Sequence, residues 1–172
     1  PCEAQCRRRM VDDSVNICGL KRYAVDHSPD LSAPSRAADT GKRVAVIGGG
    51  PGGLTAAYYL SLMGHKVTVY EQRPKLGGML RYGIPAYRFP RERLDEDIRA
   101  ILGVGNINVH LESLVGTDEM KALSETCDAV FVAIGAHAAK KLRLPGIDAK
   151  GVISAVDMLR SIGDGVYPDR KS

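Results

Sequence analysis

The stretch Val44-Ala45-Val46-Ile47-Gly48-Gly49-Gly50-Pro51-Gly52-Gly53-Leu54-Thr55-Ala56-Ala57 constrains this chain more than any other. A Val/Ile run without polar interruption reads as a buried β-strand, and the glycines that follow read as a turn. Leu54 to Met63 then forms a helix of small and apolar residues that stops at Gly64. Gly48, Gly50 and Gly53 match G-x-G-x-x-G, the dinucleotide fingerprint, and each has its own task. Gly48 lets the strand turn sharply, Gly50 lets backbone approach a pyrophosphate, and Gly53 lets the helix lie close to the strand. The helix N-terminus aims free N–H groups and a positive dipole end at the phosphates. Pro51 suits the first helical turn, where its missing N–H costs nothing.

A lone glycine fingerprint is a weak signal, but here its context is complete. A second apolar strand, Val67-Thr68-Val69-Tyr70, ends in Glu71. That carboxylate stands at about the twenty-residue spacing at which an acid meets a ribose 2′-hydroxyl. Strand, turn, helix, strand and acid together make a βαβ dinucleotide half and set the fold class as α/β, a Rossmann-like domain with a parallel sheet.

Composition narrows the rest. At 172 residues the chain holds one ordinary domain and an appendage. Its hydrophobic fraction of 44% allows a sizeable core, built on Val, Ile, Leu and Ala because Trp is absent and aromatics are 5%. No apolar run approaches the roughly 18 residues of a membrane span, and no signal-peptide pattern opens the chain. The formal charge is +4. The dense basic runs, Arg7-Arg8-Arg9 and Lys140-Lys141-Leu142-Arg143, have no interleaved aromatics and read as solvated faces rather than a nucleic-acid surface. Four cysteines do not make a disulfide scaffold, so a reduced, cytoplasmic setting is expected. Cys127 reads as a small buried residue opening the apolar strand Asp128 to Ile134.

Taken in order, residues 1–27 read as a helical segment separate from the rest. Glu3 to Met10 suggests a short helix, and Asp12, Asp13 and Ser14 offer a cap for a second one, which Gly19 weakens. Cys2 and Cys6 have C-x-x-x-C spacing, which on a helix places both thiols one turn apart. They are either two ligands of a cluster that normally needs four, or incidental thiols. Residues 28–41 read as an extended linker, and residues 42–162 as the dinucleotide domain. In residues 163–172 the composition changes to that of a second linker.

Gly77 and Gly78 follow Glu71 closely, which is unusual for a plain NAD dehydrogenase, and let a second loop approach a bound cofactor. Met79 to Pro90 reads as a long functional loop. Pro90 opens a helix over 91–102 with Leu94, Ile98, Ile101 and Leu102 as its buried stripe. Ile107 to Leu111 reads as a short strand with His110 outward, and Thr117 caps a short helix. Asp128 to Ile134 reads as a central parallel strand covered on both faces. Gly135 follows at its C-terminal end, where open α/β sheets bind ligands, and His137 stands just past that edge. Val152-Ile153-Ser154 suggests a last short strand and Ala155 to Ile162 a last helix.

With these residues together, the chain resembles the small (β) subunit of NADPH-dependent glutamate synthase and related flavin oxidoreductases with an N-terminal iron–sulfur domain. The resemblance rests on Pro-Cys-Glu-Ala-Gln-Cys, Ile-Cys-Gly-Leu-Lys-Arg, the glycine turn, Gly-Gly-Met-Leu-Arg-Tyr-Gly-Ile-Pro and Val-Ala-Ile-Gly-Ala. It implies that the turn binds FAD, with Gly48, Gly50, Pro51 and Gly53 at the pyrophosphate and Glu71 on the adenosine ribose. Gly78, Met79, Leu80 and Arg81 would run beside the cofactor, Val115 would pack near the adenine, and Gly135 would border the site. Cys2 and Cys6 match the last two cysteines of a family run that binds a 4Fe-4S cluster.

The upstream cysteines of that pattern, the second fingerprint for NAD(P)H and the returning part of the FAD domain find no match. The expectation is therefore a portion of a longer protein, of roughly 450 residues or more at typical domain sizes. In the whole protein, electrons would pass between NAD(P)H, FAD and iron–sulfur clusters and on to a partner redox subunit or acceptor protein. The portion alone would not turn over NAD(P)H, and no acid–base residue is implied. Two other readings stand beside this one: an NAD-binding dehydrogenase domain, and a non-catalytic module whose basic N-terminus docks a partner.

Overall fold

The computed structural model describes residues 1–28, 34–140 and 142–166. The chain divides into two compact units, Pro1–Ser32 and Ala33–Ser172.

In the first unit a 3₁₀ turn covers Arg7–Met10, and α1 runs Ile17–Asp26. The helix expected from Glu3 does not form. Cys6 is extended at φ −66° and ψ 120°, and the preceding bonds, Gln5 N to Pro1 O and Cys6 N to Glu3 O, close isolated turns. Cys2 and Cys6 therefore do not share a regular helix face. The cap of α1 is Asn16 rather than the acids before it. Its side chain accepts from Gly19 N at 2.8 Å, so Gly19 is part of the N-terminal turn instead of a weak point within the helix.

The second unit carries the sheet. Strands β1 (Arg43–Ile47), β2 (Lys66–Tyr70), β3 (Ile107–His110) and β4 (Ala129–Val132) lie in the order β3-β2-β1-β4. Every pairing is parallel, with Val46 beside Val69 and Phe131. The helices are α2 (Pro51–Leu62), α3 (Met79–Tyr82), α4 (Arg91–Leu102), α5 (Thr117–Thr126) and α6 (Ala155–Gly163). Val44, Val46, Val67 and Val69 alternate onto one sheet face and meet Leu54 and Ala57 of α2 and Leu94 and Ile98 of α4. That alternation, met by the apolar stripe of α4, is the physical basis of the core. The chain runs β1, β2, β3 to one side and then crosses back to place β4 on the other side of β1. The reversal opens a crevice at the C-terminal strand ends.

The second half departs from the sequence reading in several places. The Met79–Pro90 loop contains a helical turn, α3, set off by Gly78 at φ 50°. Helix α5 is capped at Gly116, whose N–H donates to Glu119 Oε2 at 3.0 Å, not at Thr117. Strand β4 is an edge strand rather than a central one. Among the described residues no further strand pairs with it, and Phe131, Val132 and Ile134 stay exposed. Cys127 ends α5 half-buried instead of opening the strand, because Asp128 turns to accept from Arg43 N. Val152 and Ile153 form no strand and are exposed.

Residues 34–40 of the expected linker are extended but docked. Ala37 N donates to Leu62 O and Thr40 N to Gly64 O, both near the end of α2, and Asp39 pairs with Lys66. Residues 29–33 of that linker, 167–172 of the C-terminal one and Lys141 lie outside the described residues. No helix among the described residues is long and apolar enough to cross a membrane.

Candidate functional site

A cavity of about 650 Å³ occupies the crevice at the strand ends, within the usual size of a small-molecule site. Its floor is the glycine turn and the start of α2. One wall is the end of β2 with Ser113, Leu114 and Val115; the other is Ala133 to Ala138 after β4; Gly78, Met79 and Tyr82 close the top.

The sequence places the floor. Gly53 sits in the first turn of α2, where a Cβ would collide with the carbonyl of Gly48, so only glycine lets the helix pack onto the strand end. The N–H groups of Gly52 and Gly53 are among the first four of the helix and have no intrahelical partner. They and the helix dipole make this end of the cavity attractive to anions. Opposite it Gly78 comes so close that a Cβ there would stand 2.6 Å from Gly50 Cα. Two backbones thus face each other across a gap that no side chain fills.

Glu71, 6% exposed, ties the wall to the floor. Its Oε2 accepts from Gly49 N at 2.7 Å and its Oε1 from Arg73 N at 2.8 Å. Each carboxylate oxygen keeps a second lone pair, so ribose hydroxyls can still bond to it. Arg73 lines the same wall. It pairs with Asp164 at 3.3 Å, and its guanidinium lies 5.8 Å from the centre of the Tyr82 ring. Tyr82 is buried and its hydroxyl donates to Lys75 O at 3.2 Å. Burial raises its phenol pKa, and the nearby Asp164 carboxylate adds to the rise. Arg91, behind α3, has its pKa lowered by burial and then by the neighbouring Arg81.

Of the residues singled out from sequence, Gly48, Gly50, Pro51, Glu71, Gly78, Met79, Val115 and Gly135 border the cavity. Gly53 lies beneath it. Leu80 packs against the core, and Arg81 turns its guanidinium into the protein toward Leu76 O and Asp95. Cys2 and Cys6 belong to the other unit. There Cys2 is exposed and Cys6 half-buried, with nearby backbone amides lowering the Cys6 thiol pKa. Among the described residues no three His, Cys, Asp or Glu side chains gather to hold a metal ion, short of the four thiolates a cluster takes.

Tyr82 reaches the cavity from the loop expected to be functional, whereas the sequence does not single out Tyr70, Arg73 or Ile134, which also line it. Arg73 carries a signal in hindsight, two residues beyond the acid that ends β2. His137 reaches the cavity as the strand-edge rule allows, with Arg160 holding its carbonyl at 2.8 Å.

The donor set suits a dinucleotide: a glycine cradle at a helix N-terminus for a diphosphate, and a buried carboxylate beside it for a ribose.

Residues 42–167 match the family described as Pyridine nucleotide-disulphide oxidoreductase. Among curated proteins, the chain is 42% identical to the NADPH-Fe(3+) oxidoreductase subunit beta of Geobacter sulfurreducens, over 93% of this chain and 25% of that protein. It is 39% identical to the NADP(+)-dependent formate dehydrogenase subunit beta of Moorella thermoacetica, over 94% of this chain and 27% of that protein. To the glutamate synthase [NADPH] small chain of Bacillus subtilis it is 34% identical, over 99% of this chain and 36% of that protein. The chain thus spans about a quarter to a third of these relatives. Among solved structures, Mycobacterium tuberculosis FprA in complex with NADPH superposes at a TM-score of 0.63 with 26% identity, over 70% of this chain and 28% of that one.

Proposed function

Since the chain belongs to the pyridine nucleotide-disulphide oxidoreductase family, we propose that its second unit is the FAD-binding part of an NADPH-dependent flavin oxidoreductase. The observation that carries the reading is the approach of Gly78 to Gly50 over the N-terminus of α2, with Glu71 in the adjoining wall. Gly48, Gly50 and the α2 N–H groups hold the diphosphate. Glu71 takes the ribose hydroxyls, and Val115 and Leu114 offer an apolar bed for the adenine. Met79 and Tyr82 shield the site from above. Gly135 and His137 bound it on the β4 side.

FAD, once bound, supplies the conversion between hydride transfer and single-electron transfer. The residues here bind and orient it. The second loop at Gly77-Gly78 favours FAD over a nicotinamide dinucleotide, which the fingerprint alone would also accept.

The formate dehydrogenase and Fe(3+) oxidoreductase relatives are named as subunits, and their names specify NADP(+) or NADPH. The whole protein accordingly takes electrons from NADPH and passes them to a partner redox subunit. Cys2 and Cys6 would act there as two ligands of a 4Fe-4S cluster, which takes four thiolates. The setting is cytoplasmic, with neither a nucleic acid nor a membrane as partner.

Titration of the chain with FAD, followed by flavin fluorescence and challenged with NAD, tests the reading. Saturable FAD binding that excess NAD does not displace is expected. Binding of NAD without FAD would replace the reading with a nicotinamide domain, and binding of neither would remove the cofactor role from this cavity.

A further inference from the structure

The Gly77-Gly78 loop is held from behind. Leu76 O, just before the glycine pair, accepts from Arg81 Nε at 2.5 Å, and the same guanidinium, 5% exposed, pairs with Asp95 of α4. Arg91, also on α4, donates to Leu80 O at 2.9 Å and to Ile84 O at 2.6 Å. Two guanidiniums therefore grip the residue before the glycines, the short helix after them and the turn beyond. Helix α4 is itself anchored in the core by Leu94 and Ile98. Gly77 N also donates to Gly49 O at 2.8 Å, which joins the loop to the fingerprint turn.

A glycine pair loses more backbone freedom on ordering than any other dipeptide, so it keeps one geometry only where its neighbours impose one. The planar fork of arginine suits this task better than lysine, because its donors leave at fixed angles. A buried ion pair is weak evidence for stability, since an apolar side chain of similar volume often does as well. It can nevertheless fix the orientation of a carbonyl, which an apolar side chain cannot.

The geometry points to Arg81 and Asp95, with Arg91, as positioning residues for the cofactor diphosphate. They touch no ligand; they set where the Gly78 backbone stands opposite Gly50. Arg81, expected from the sequence to lie along the cofactor, acts on it through the loop instead. This role rests on the dinucleotide reading of the cavity.

Two variants of the 172-residue chain, Arg81→Met and Asp95→Ala, test it by three readouts. The first is amide hydrogen exchange without cofactor. Exchange over residues 77–84 should quicken at least tenfold in both variants while β1 and β2 keep their protection. The second is FAD affinity, which should weaken at least fivefold. The third is the phosphorus NMR of bound FAD, whose diphosphate signals should move, as those of a merely destabilised but correctly shaped site would not. Asp95 is half-exposed, so Asp95→Ala decides the matter if Arg81→Met does not fold. Unchanged exchange over 77–84 in a folded variant overturns the proposal, and so does a loosened loop that binds FAD as tightly as before. If the unaltered chain binds no FAD, the cavity reading fails on its own, while the exchange data still decide whether these residues hold the loop.

Discussion

Glu71 and Gly49, 22 residues apart, are joined by a hydrogen bond of 2.7 Å in which the buried carboxylate accepts the backbone N–H of the turn. The acid at the end of β2 thus shapes the glycine turn before any ligand arrives. The opposite face of the same residue continues the chain of bonds, because Gly49 O accepts from Gly77 N.

Replacing Glu71 by Gln leaves one oxygen for two backbone donors and sets an NH₂ against an N–H. The unmet donor is expected to cost about 1–3 kcal/mol of stability. Urea denaturation at neutral pH reads the loss, and FAD affinity should fall with it. A variant as stable as the parent would show that the two bonds do not support the turn.

Gly49 is not one of the three fingerprint glycines, yet it should be nearly as intolerant. A Cβ there would run into the Leu76 side chain and stand 3.0 Å from Glu71 Oε2. Gly49→Ala is expected to destabilise by about 1–3 kcal/mol through overpacking. The denaturant midpoint should drop with an unchanged slope.

Gly78→Ala combines two faults. The backbone at φ 50° and ψ −134° is a region that glycine alone enters readily, and the new methyl would press on Gly50. The loop must move off the turn, so FAD affinity should fall more than tenfold, or about 1.4 kcal/mol. Calorimetric titration measures it. Retained affinity would mean that the diphosphate does not lie between these glycines.

Asp128 sets an acid limit. The Arg43 N–H and then the Lys42 ammonium, both 2.8 Å away, hold its carboxyl below the usual carboxylate pKa. A folded-state pKa below the unfolded one means that the unfolded chain binds the proton first. Stability from this group is therefore full above the unfolded value and is lost as pH falls through the folded one. The urea midpoint should decline below about pH 4. Asp128→Asn should be less stable than the parent at pH 7 and decline less steeply in acid.

Among the described residues strand β4 offers an unpaired edge flanked by exposed apolar side chains, with Val132 at 55% exposure. Such an edge invites strand pairing between copies. The chain should self-associate at high concentration, and Val132→Lys should reduce this without altering the circular dichroism. Light scattering compares the two.

The sequence made the βαβ half readable because its signals are local. The fingerprint, the alternating valines and the stripe of α4 each lie within a few residues of what they specify, and α4 occupies the 91–102 span expected for it. Other features depend on long-range neighbours. An apolar run like Ala129–Val132 reads the same at the centre or the edge of a sheet, and only the strand order separates the two. Arg81 stands beside the cavity-lining Tyr82 and two residues after the cavity-lining Met79, but its direction is set by Asp95, fourteen residues further on. Cys6 failed to continue a helix because its own backbone went extended, which spacing does not report.

The sheet's pairing pattern also bears on how the chain folds. Strands β1 and β2 are joined within one unit spanning residues 43–70, whereas β1 meets β4 through contacts such as Arg43–Asp128, 85 positions apart. Closing the short loop is entropically cheaper than closing the long one, and local pairings form sooner. The first βαβ unit is thus the expected folding nucleus: in stopped-flow kinetics Val46→Ala and Val69→Ala should slow folding, whereas Val132→Ala should mainly speed unfolding. On that order of events the glycine turn takes shape in the earliest structured part of the chain, and the edge strand completes the cavity wall last.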